Sequence, residues 1–332
     1  MKKVLLLGGG GYIGSVLTSY LLSKGYKVNV LDNFVYDNHI TTLSFTANEN
    51  YQFFYGDFGN EIDLDNASKD VTDVVLLGGL VGDPITKKYP IESGLINEKG
   101  VQSAINFFNK KSIDKLVFIS TCSNYGLIPE NKLADEDYEL SPLSLYAKAK
   151  VENELFLLSK KGSVNYTGVV LRFATAFGLS PRMRFDLSVS EFVRDMFAGK
   201  ELLVYDEHTW RPYCHVMDFS RLIEKVLTAE KSLVDFEVFN AGGDMNNFTK
   251  KMIVDTILKY IPNAKVKYGS NGSDPRNYKV SFDKVKTKLG FVPEYSVEFG
   301  IKELVDALNL GYFKDSYTNI NFYGNYELNY KY

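Results

Sequence analysis

The chain has 332 residues, 45% of them hydrophobic, enough to bury a sizeable core in one large domain or two interlocked ones. A formal charge of −3 and a pI near 5.8 give no global electrostatic reason to bind nucleic acid or a membrane surface. The two cysteines, Cys122 and Cys214, predict free thiols, and the scattered His39, His208 and His215 lack ligand spacing, so no metal site is expected. The chain enters its first strand at once, leaving no room for a signal peptide, and no apolar stretch reaches membrane-spanning length. A cytoplasmic protein is expected.

The first apolar run, Val4-Leu5-Leu6-Leu7, reads as a buried strand. It runs into Gly8-Gly9-Gly10-Gly11-Tyr12-Ile13-Gly14, and helical spacing follows from Ser15 to Ser23. Such a turn lets backbone approach a pyrophosphate, and the helix N-terminus supplies free N–H groups and a favourable dipole. Gly8, Gly11 and Gly14 form G-x-x-G-x-x-G. Further strands are predicted at Lys27 to Leu31, Tyr51 to Tyr55, Asp73 to Leu77, Lys115 to Ile119 and Val164 to Leu171. Helices are predicted over Glu92 to Lys110 and Ser144 to Lys160. This alternation predicts an α/β fold with a doubly wound, parallel, Rossmann-type sheet.

The pattern loosens after Gly178. Strands at Leu202 to Tyr205 and Glu237 to Asn240, and helices at Asp218 to Glu230, Thr249 to Tyr260 and Val297 to Leu308, predict a smaller mixed lobe. The expected division is a dinucleotide domain over 1–180 with a return segment near 212–245. A substrate lobe takes 181–211 and 246–314, and a tail takes 315–332. The many aromatics of that tail favour an ordered arm over a disordered end.

Asp32 ends the second strand, where a carboxylate can accept both hydroxyls of an adenosine ribose and repel a 2′-phosphate. It predicts NAD as cofactor, with Asn33 beside it. Asp57-Phe58 after the third strand could hold and cover an adenine, or simply form a turn. Tyr146 and Lys150 lie one helical turn apart on one face. A phenol of pKa ~10 is a poor base at neutral pH, and a nearby ammonium is expected to lower it. Thr121 lies in Ser120-Thr121-Cys122-Ser123-Asn124-Tyr125-Gly126, at the carboxyl end of the fifth strand, where open α/β sheets place ligands. Its hydroxyl can hydrogen-bond a substrate hydroxyl while Tyr146 takes the proton.

Taken together, these motifs resemble the NAD-dependent epimerase/dehydratase family, extended short-chain dehydrogenase/reductases acting on nucleotide-sugars, over residues 2–310. The resemblance implies Tyr146 as general base, Lys150 as holder of the nicotinamide ribose and Thr121 as their partner. Leu77-Gly78-Gly79-Leu80 stands where the family has H-x-A-A under the pyrophosphate, and Gly78 and Gly79 keep a close backbone approach. Leu171 to Gly178 matches the family's strand end near the nicotinamide, and Asn97 the N-x-x-G-T helix segment.

In the second lobe Arg211-Pro212-Tyr213-Cys214-His215-Val216-Met217-Asp218 resembles R-x-x-x-H-V-x-D, and Asp274-Pro275-Arg276 the later D-x-R segment. Arg211 and Arg276 are thereby expected on the substrate diphosphate, and His215 in a structural role. Pro181-Arg182-Met183-Arg184-Phe185-Asp186-Leu187 sits where the chain enters the nucleotide pocket. Arg182 is read as substrate-binding, and one of the two arginines can pair with Asp186. Cys122 and Ser123 occupy the positions of the Asp-Glu pair that serves the 4,6-dehydratases. Dehydration is therefore disfavoured, and an epimerase or a 4-dehydrogenase is expected; the alternatives are a 4-keto reductase, against which Asp32 argues, and a non-catalytic dinucleotide sensor, against which Tyr146 and Lys150 argue. Gly82-Asp83-Pro84 and Asp274-Pro275-Arg276-Asn277-Tyr278 resemble a branch holding both epimerase-like enzymes and nucleotide-heptose 4-dehydrogenases. The resemblance further implies a homodimer through the Glu92–Lys110 and Ser144–Lys160 helices, with Phe107, Leu155 and Leu158 as candidate apolar contacts.

Overall fold

A computed structural model describes residues 2–270, 272 and 276–330. Six strands come first: β1 (Lys3–Leu7), β2 (Lys27–Asp32), β3 (Tyr51–Tyr55), β4 (Asp73–Leu76), β5 (Lys115–Thr121) and β6 (Thr167–Phe173). Then follow β7 (Thr175–Phe177), β8 (Leu202–Tyr205), β9 (Trp210–His215), β10 (Glu237–Ala241), β11 (Asn247–Thr249) and β12 (Val266–Gly269). Seven of them make one parallel sheet in the order β10-β6-β5-β4-β1-β2-β3. Strand order reverses between β1 and β4, and the crevice outside their carboxyl ends is the natural ligand site of such a sheet. The central strands are buried along their length, as near-continuous Val/Ile/Leu runs covered on both faces require.

Two apolar clusters cover the faces of this sheet. One gathers Leu17, Leu21, Val30, Val117, Phe219 and Phe239; the other gathers Leu5, Leu31, Leu76, Phe108 and Phe118. A third core lies outside the sheet and joins Phe177, Phe185, Val193, Ile253, Ile301 and Tyr323. It is bounded by small sheets ordered β11-β9-β7 and β12-β8. Both β9 and β12 escaped the sequence reading, because neither is a sustained apolar run: Trp210 to His215 carries Arg211, Pro212 and His215.

The sixth strand starts at Thr167, later than the expected Val164, because 159–165 are spent in turns after the Leu145–Leu158 helix. The expected Glu92–Lys110 helix is one continuous rod with a π-helical stretch, Gly94–Gly100, between Pro90–Ser93 and Val101–Phe108. Phe107 is buried in it, while on its neighbour Leu158 is half-buried and Leu155 61% exposed, so the three candidate dimer contacts differ. Residues 315–330 pack along the body: Phe185 N–H donates to the Tyr323 carbonyl at 2.7 Å and Asn329 N–H to the Val35 carbonyl at 2.9 Å. No described helix is long and apolar enough to cross a membrane.

Candidate active site

A cleft of about 500 Å³ opens at the carboxyl ends of the central strands, within the usual range for small-molecule sites. On one wall stands the glycine turn. Gly8 has φ +84°, and a Cβ there would lie 2.5 Å from Gly78 Cα, so the turn tolerates no side chain. Gly11 begins helix α1 (Tyr12–Ser23) with no side-chain cap, which leaves the first-turn N–H groups for an anion. Gly8, Gly11, Tyr12, Ile13 and Gly14 all line the cleft, as do Gly78 and Gly79 after β4.

Asp32 closes β2 beside this turn. Its carboxylate accepts the Gly10 N–H and the Phe34 N–H, both at 2.8 Å. Burial pushes the carboxyl above its usual range against these bonds. Asn33 donates to Asp57 at 3.4 Å, and both line the cleft together with Phe58.

Opposite, β5 ends at Thr121 and the Leu145–Leu158 helix presents Tyr146 and Lys150. Ser144 caps that helix by accepting the Ala147 N–H at 3.2 Å. Tyr146 is 9% exposed and faces Thr121, whose hydroxyl favours the ionised phenol. Lys150 donates to the Ile119 carbonyl at 2.7 Å, with its ammonium 5.8 Å from the Tyr146 ring centre. Burial brings Lys150 down to about 8. Burial also pushes the Tyr146 phenol up, and the leading opposing charge is Arg184. Lys150, the cation expected to ease ionisation of the phenol, stands beside the ring while it donates to that main-chain carbonyl.

Arg184 is itself paired with Asp186 at 2.6 Å, the pairing foreseen for one of the two arginines. Arg182 lies deeper and donates to the Gly324 carbonyl at 2.9 Å. Arg211 lies over the Tyr278 ring, 5.0 Å from its centre. Arg276 meets Asp83 at 3.2 Å and donates to Ser123 Oγ at 3.3 Å. All four arginines line the cleft. Asp274 and Pro275 of the same segment lie outside the described residues.

Asn97 was read as a substrate ligand, and the structure places it beneath the cleft floor instead. It is 3% exposed, accepts the Leu80 N–H at 2.7 Å and donates to the Leu80 carbonyl at 3.0 Å. Both ends of its amide hold the loop after β4 in place. His215 is structural too: Nδ1 accepts the Met217 N–H at 3.1 Å and caps the Val216–Thr228 helix, while Nε2 faces Glu303 at 3.1 Å. Cys122 turns into the core and donates to the Arg172 carbonyl at 3.1 Å. Sequence reasoning missed Tyr36, Tyr278, Asn325 and Tyr326 as lining residues, since only the folded chain brings the tail and distant loops to one cleft.

Comparison with known proteins shows the family to which the chain belongs. The family described as NAD dependent epimerase/dehydratase matches residues 4–242. The chain belongs to that family. A dTDP-glucose 4,6-dehydratase of Streptomyces niveus is 27% identical over 330 residues, covering 92% of this chain and 92% of that protein. The dTDP-glucose 4,6-dehydratase of Bacillus anthracis, solved in complex with NAD, superposes with a TM-score of 0.82 at 26% identity, covering 93% of this chain and 97% of that one. The UDP-glucuronic acid 4-epimerase of Bacillus cereus, solved with UDP-glucuronic acid and NAD, gives 0.83 at 25% identity, covering 93% and 100%.

Epimerase/dehydratase family members are NAD-dependent, and NAD is the cofactor here. The residues present fit it. The uncapped N-terminus of α1 and the side-chain-free turn at Gly8 can accept a pyrophosphate, and Asp32 offers a ribose acceptor. Among the described residues no cluster of three or more His, Cys, Asp or Glu side chains could hold a metal ion.

Proposed function

We propose that this chain oxidises a ring hydroxyl, at C4, of a nucleotide-activated sugar and works as a nucleotide-sugar epimerase or oxidoreductase. The observation that supports this reading most is the convergence of Thr121, Tyr146 and Lys150 in the same cleft as Asp32 and the glycine turn. Tyr146 takes the hydroxyl proton, and Thr121 shares the hydrogen bond and orients the phenol. Lys150 holds the nicotinamide ribose, and its charge lies along the same helix face. Arg211 and Arg276 meet the diphosphate of the substrate, for which guanidinium forks suit the oxygens. Gly8, Gly11 and Gly14 cradle the cofactor, with Tyr12, Ile13, Asp32, Asn33, Asp57, Phe58, Gly78 and Gly79 around it. NAD, when bound, supplies the hydride acceptor.

An epimerase outcome is favoured over dehydration. A 4,6-elimination needs a second acid and base, and the two positions after Thr121 hold Cys122 and Ser123. Burial pushes the Cys122 thiol up, and it faces away from the cleft. A 4-dehydrogenase that releases the keto-sugar would use the same residues.

The test is a panel of UDP-, GDP-, CDP- and dTDP-sugars screened for a shift in melting temperature. Hits are followed by absorbance in the reduced-nicotinamide band and by product analysis. A nucleotide-sugar should raise that absorbance, and Tyr146→Phe should lower the rate by about 10²- to 10⁴-fold. Full activity of Tyr146→Phe would remove the assignment of the base. A product epimeric at the oxidised carbon marks an epimerase, and an accumulating keto-sugar marks a dehydrogenase. We further propose a homodimer through the Val101–Phe108 and Leu145–Leu158 helices, where Leu155 is exposed. Light scattering should give twice the chain mass.

A further inference from the structure

We propose that Arg182 is a ligand of the cofactor's pyrophosphate, a cation brought to the dinucleotide from the second lobe and held there by the C-terminal segment. The segment after β7 crosses the first turn of α1: Tyr12 Oη donates to the Gly178 carbonyl at 2.6 Å, and Ser180 Oγ donates to the Tyr12 carbonyl at 2.7 Å. Arg182 N–H donates in turn to Ser180 Oγ at 3.2 Å. Arg182 is thus pinned to the end of the helix whose free N–H groups attract an anion.

Arg182 is 2% exposed yet lines the cleft. It lies 4.9 Å from the centre of the Tyr36 ring, just past β2, and within electrostatic reach of Asp32. Both neighbours belong to the dinucleotide side of the cleft. Among the described residues no carboxylate lies within ion-pair distance of it. Asp186 is committed to Arg184, and the Asp32 oxygens accept the Gly10 and Phe34 N–H groups. Arg182 Nε is buried with no hydrogen-bond partner, and Nη2 holds only the Gly324 carbonyl. A buried cation with an open donor and no carboxylate in direct contact is costly unless an anion joins it. A guanidinium fork matches phosphate oxygens, and a pyrophosphate seated on the α1 N-terminus is the anion in reach.

The C-terminal segment fixes the other end of this arrangement. Asn325 donates to the Val81 carbonyl at 2.9 Å, and Asn329 to Asp37 at 3.2 Å. The Gly324 carbonyl that orients Arg182 is therefore anchored on the first lobe. The sequence reading placed Arg182 on the nucleotide-sugar. Its position over Tyr36 and near Asp32 moves it to the cofactor.

The experiment is calorimetric binding of three probes, NAD, ADP-ribose and adenosine, to cofactor-stripped full-length protein. Arg182→Gln should weaken NAD and ADP-ribose by about 10- to 100-fold. Adenosine, which carries no phosphate, should bind within about twofold of wild type. Arg182→Lys keeps the buried charge and removes the fork, so it should fold even if the Gln variant does not. It should weaken ADP-ribose by roughly three- to tenfold and spare adenosine. Unchanged ADP-ribose affinity in the variants that fold overturns the proposal. An equal loss for adenosine also overturns it, because Arg182 would then act through the Tyr36 side of the pocket. The inference rests on NAD as cofactor and on no assignment of the sugar. These readouts involve binding alone, so a failure of the proposed reaction leaves them unaffected.

Discussion

Arg172 at the end of β6 and Glu154 on the Leu145–Leu158 helix form a fully buried, two-pronged ion pair. Arg172 Nη2 and Nε reach Glu154 Oε2 at 2.8 and 3.1 Å. Glu154 Oε1 accepts Asn124 Nδ2 at 2.8 Å and the Ser120 hydroxyl as well. The network ties the helix bearing Tyr146 and Lys150 to the end of β5 that bears Thr121. Removing one partner leaves an uncompensated buried charge, which costs about 3–5 kcal/mol. Glu154→Leu and Arg172→Met should each destabilise by that amount in urea unfolding, and the double replacement should cost clearly less than the sum. Single variants within 1 kcal/mol of wild type would show that the pair contributes little.

Lys150 gives a pH signature to stability. Burial lowers its pKa from 10.5 to about 8, so between these values the unfolded chain binds a proton that the folded chain does not. Stability therefore rises with pH across that window, and the cost of the buried ammonium is fully present below pH 8. Melting curves of wild type and Lys150→Met should converge in favour of wild type as pH climbs from 8 towards 10. Parallel curves would mean that the ammonium is better compensated than its burial suggests.

The Arg184–Asp186 pair should tune the phenol of Tyr146. Arg184 is the leading charge that opposes the effect of burial on Tyr146. Arg184→Met alone would strand Asp186, which is 15% exposed, so the neutral double variant Arg184→Met/Asp186→Asn is the cleaner probe. Loss of the cation disfavours the phenolate. The acidic limb of the kcat/KM profile should move to higher pH by roughly 1 unit. A profile that stays in place would detach Arg184 from the base.

Asp32 should set cofactor choice. Its carboxylate would repel a 2′-phosphate, whereas Asp32→Asn removes the charge and keeps an acceptor for one of the two N–H groups it now holds. The ratio of NAD to NADP affinity should fall by about tenfold, one charge contact's worth. Fluorescence titration with both reduced cofactors reads it directly, and an unchanged ratio would place discrimination elsewhere.

Much of the first half was legible because its signals are local. Val4 to Leu7, Lys27 to Leu31 and Tyr51 to Tyr55 are apolar strands bounded by turn residues, and the structure has strands at all three places. The glycine turn, Asp32, Thr121, Tyr146 and Lys150 stand at strand ends or on one helix face, so spacing alone could propose them. Glu154 also follows Lys150 by one helical turn, yet nothing in spacing showed that its partner would be Arg172 on another element.

The sequence by itself determined the alternation of strand and helix, the dinucleotide turn and the Tyr-Lys face, because each depends on residues a few positions apart. Tertiary structure alone decided where the long side chains spend their polar groups. It turned Asn97 down onto Leu80, sent the Lys150 ammonium to Ile119 and set Arg184 as the cation opposing burial at Tyr146. It also carried residues 323–330 across to Val35, Val81 and Arg182. Those outcomes depend on which desolvated donor finds which acceptor across the fold, and a buried polar group takes the partner that packing brings within reach.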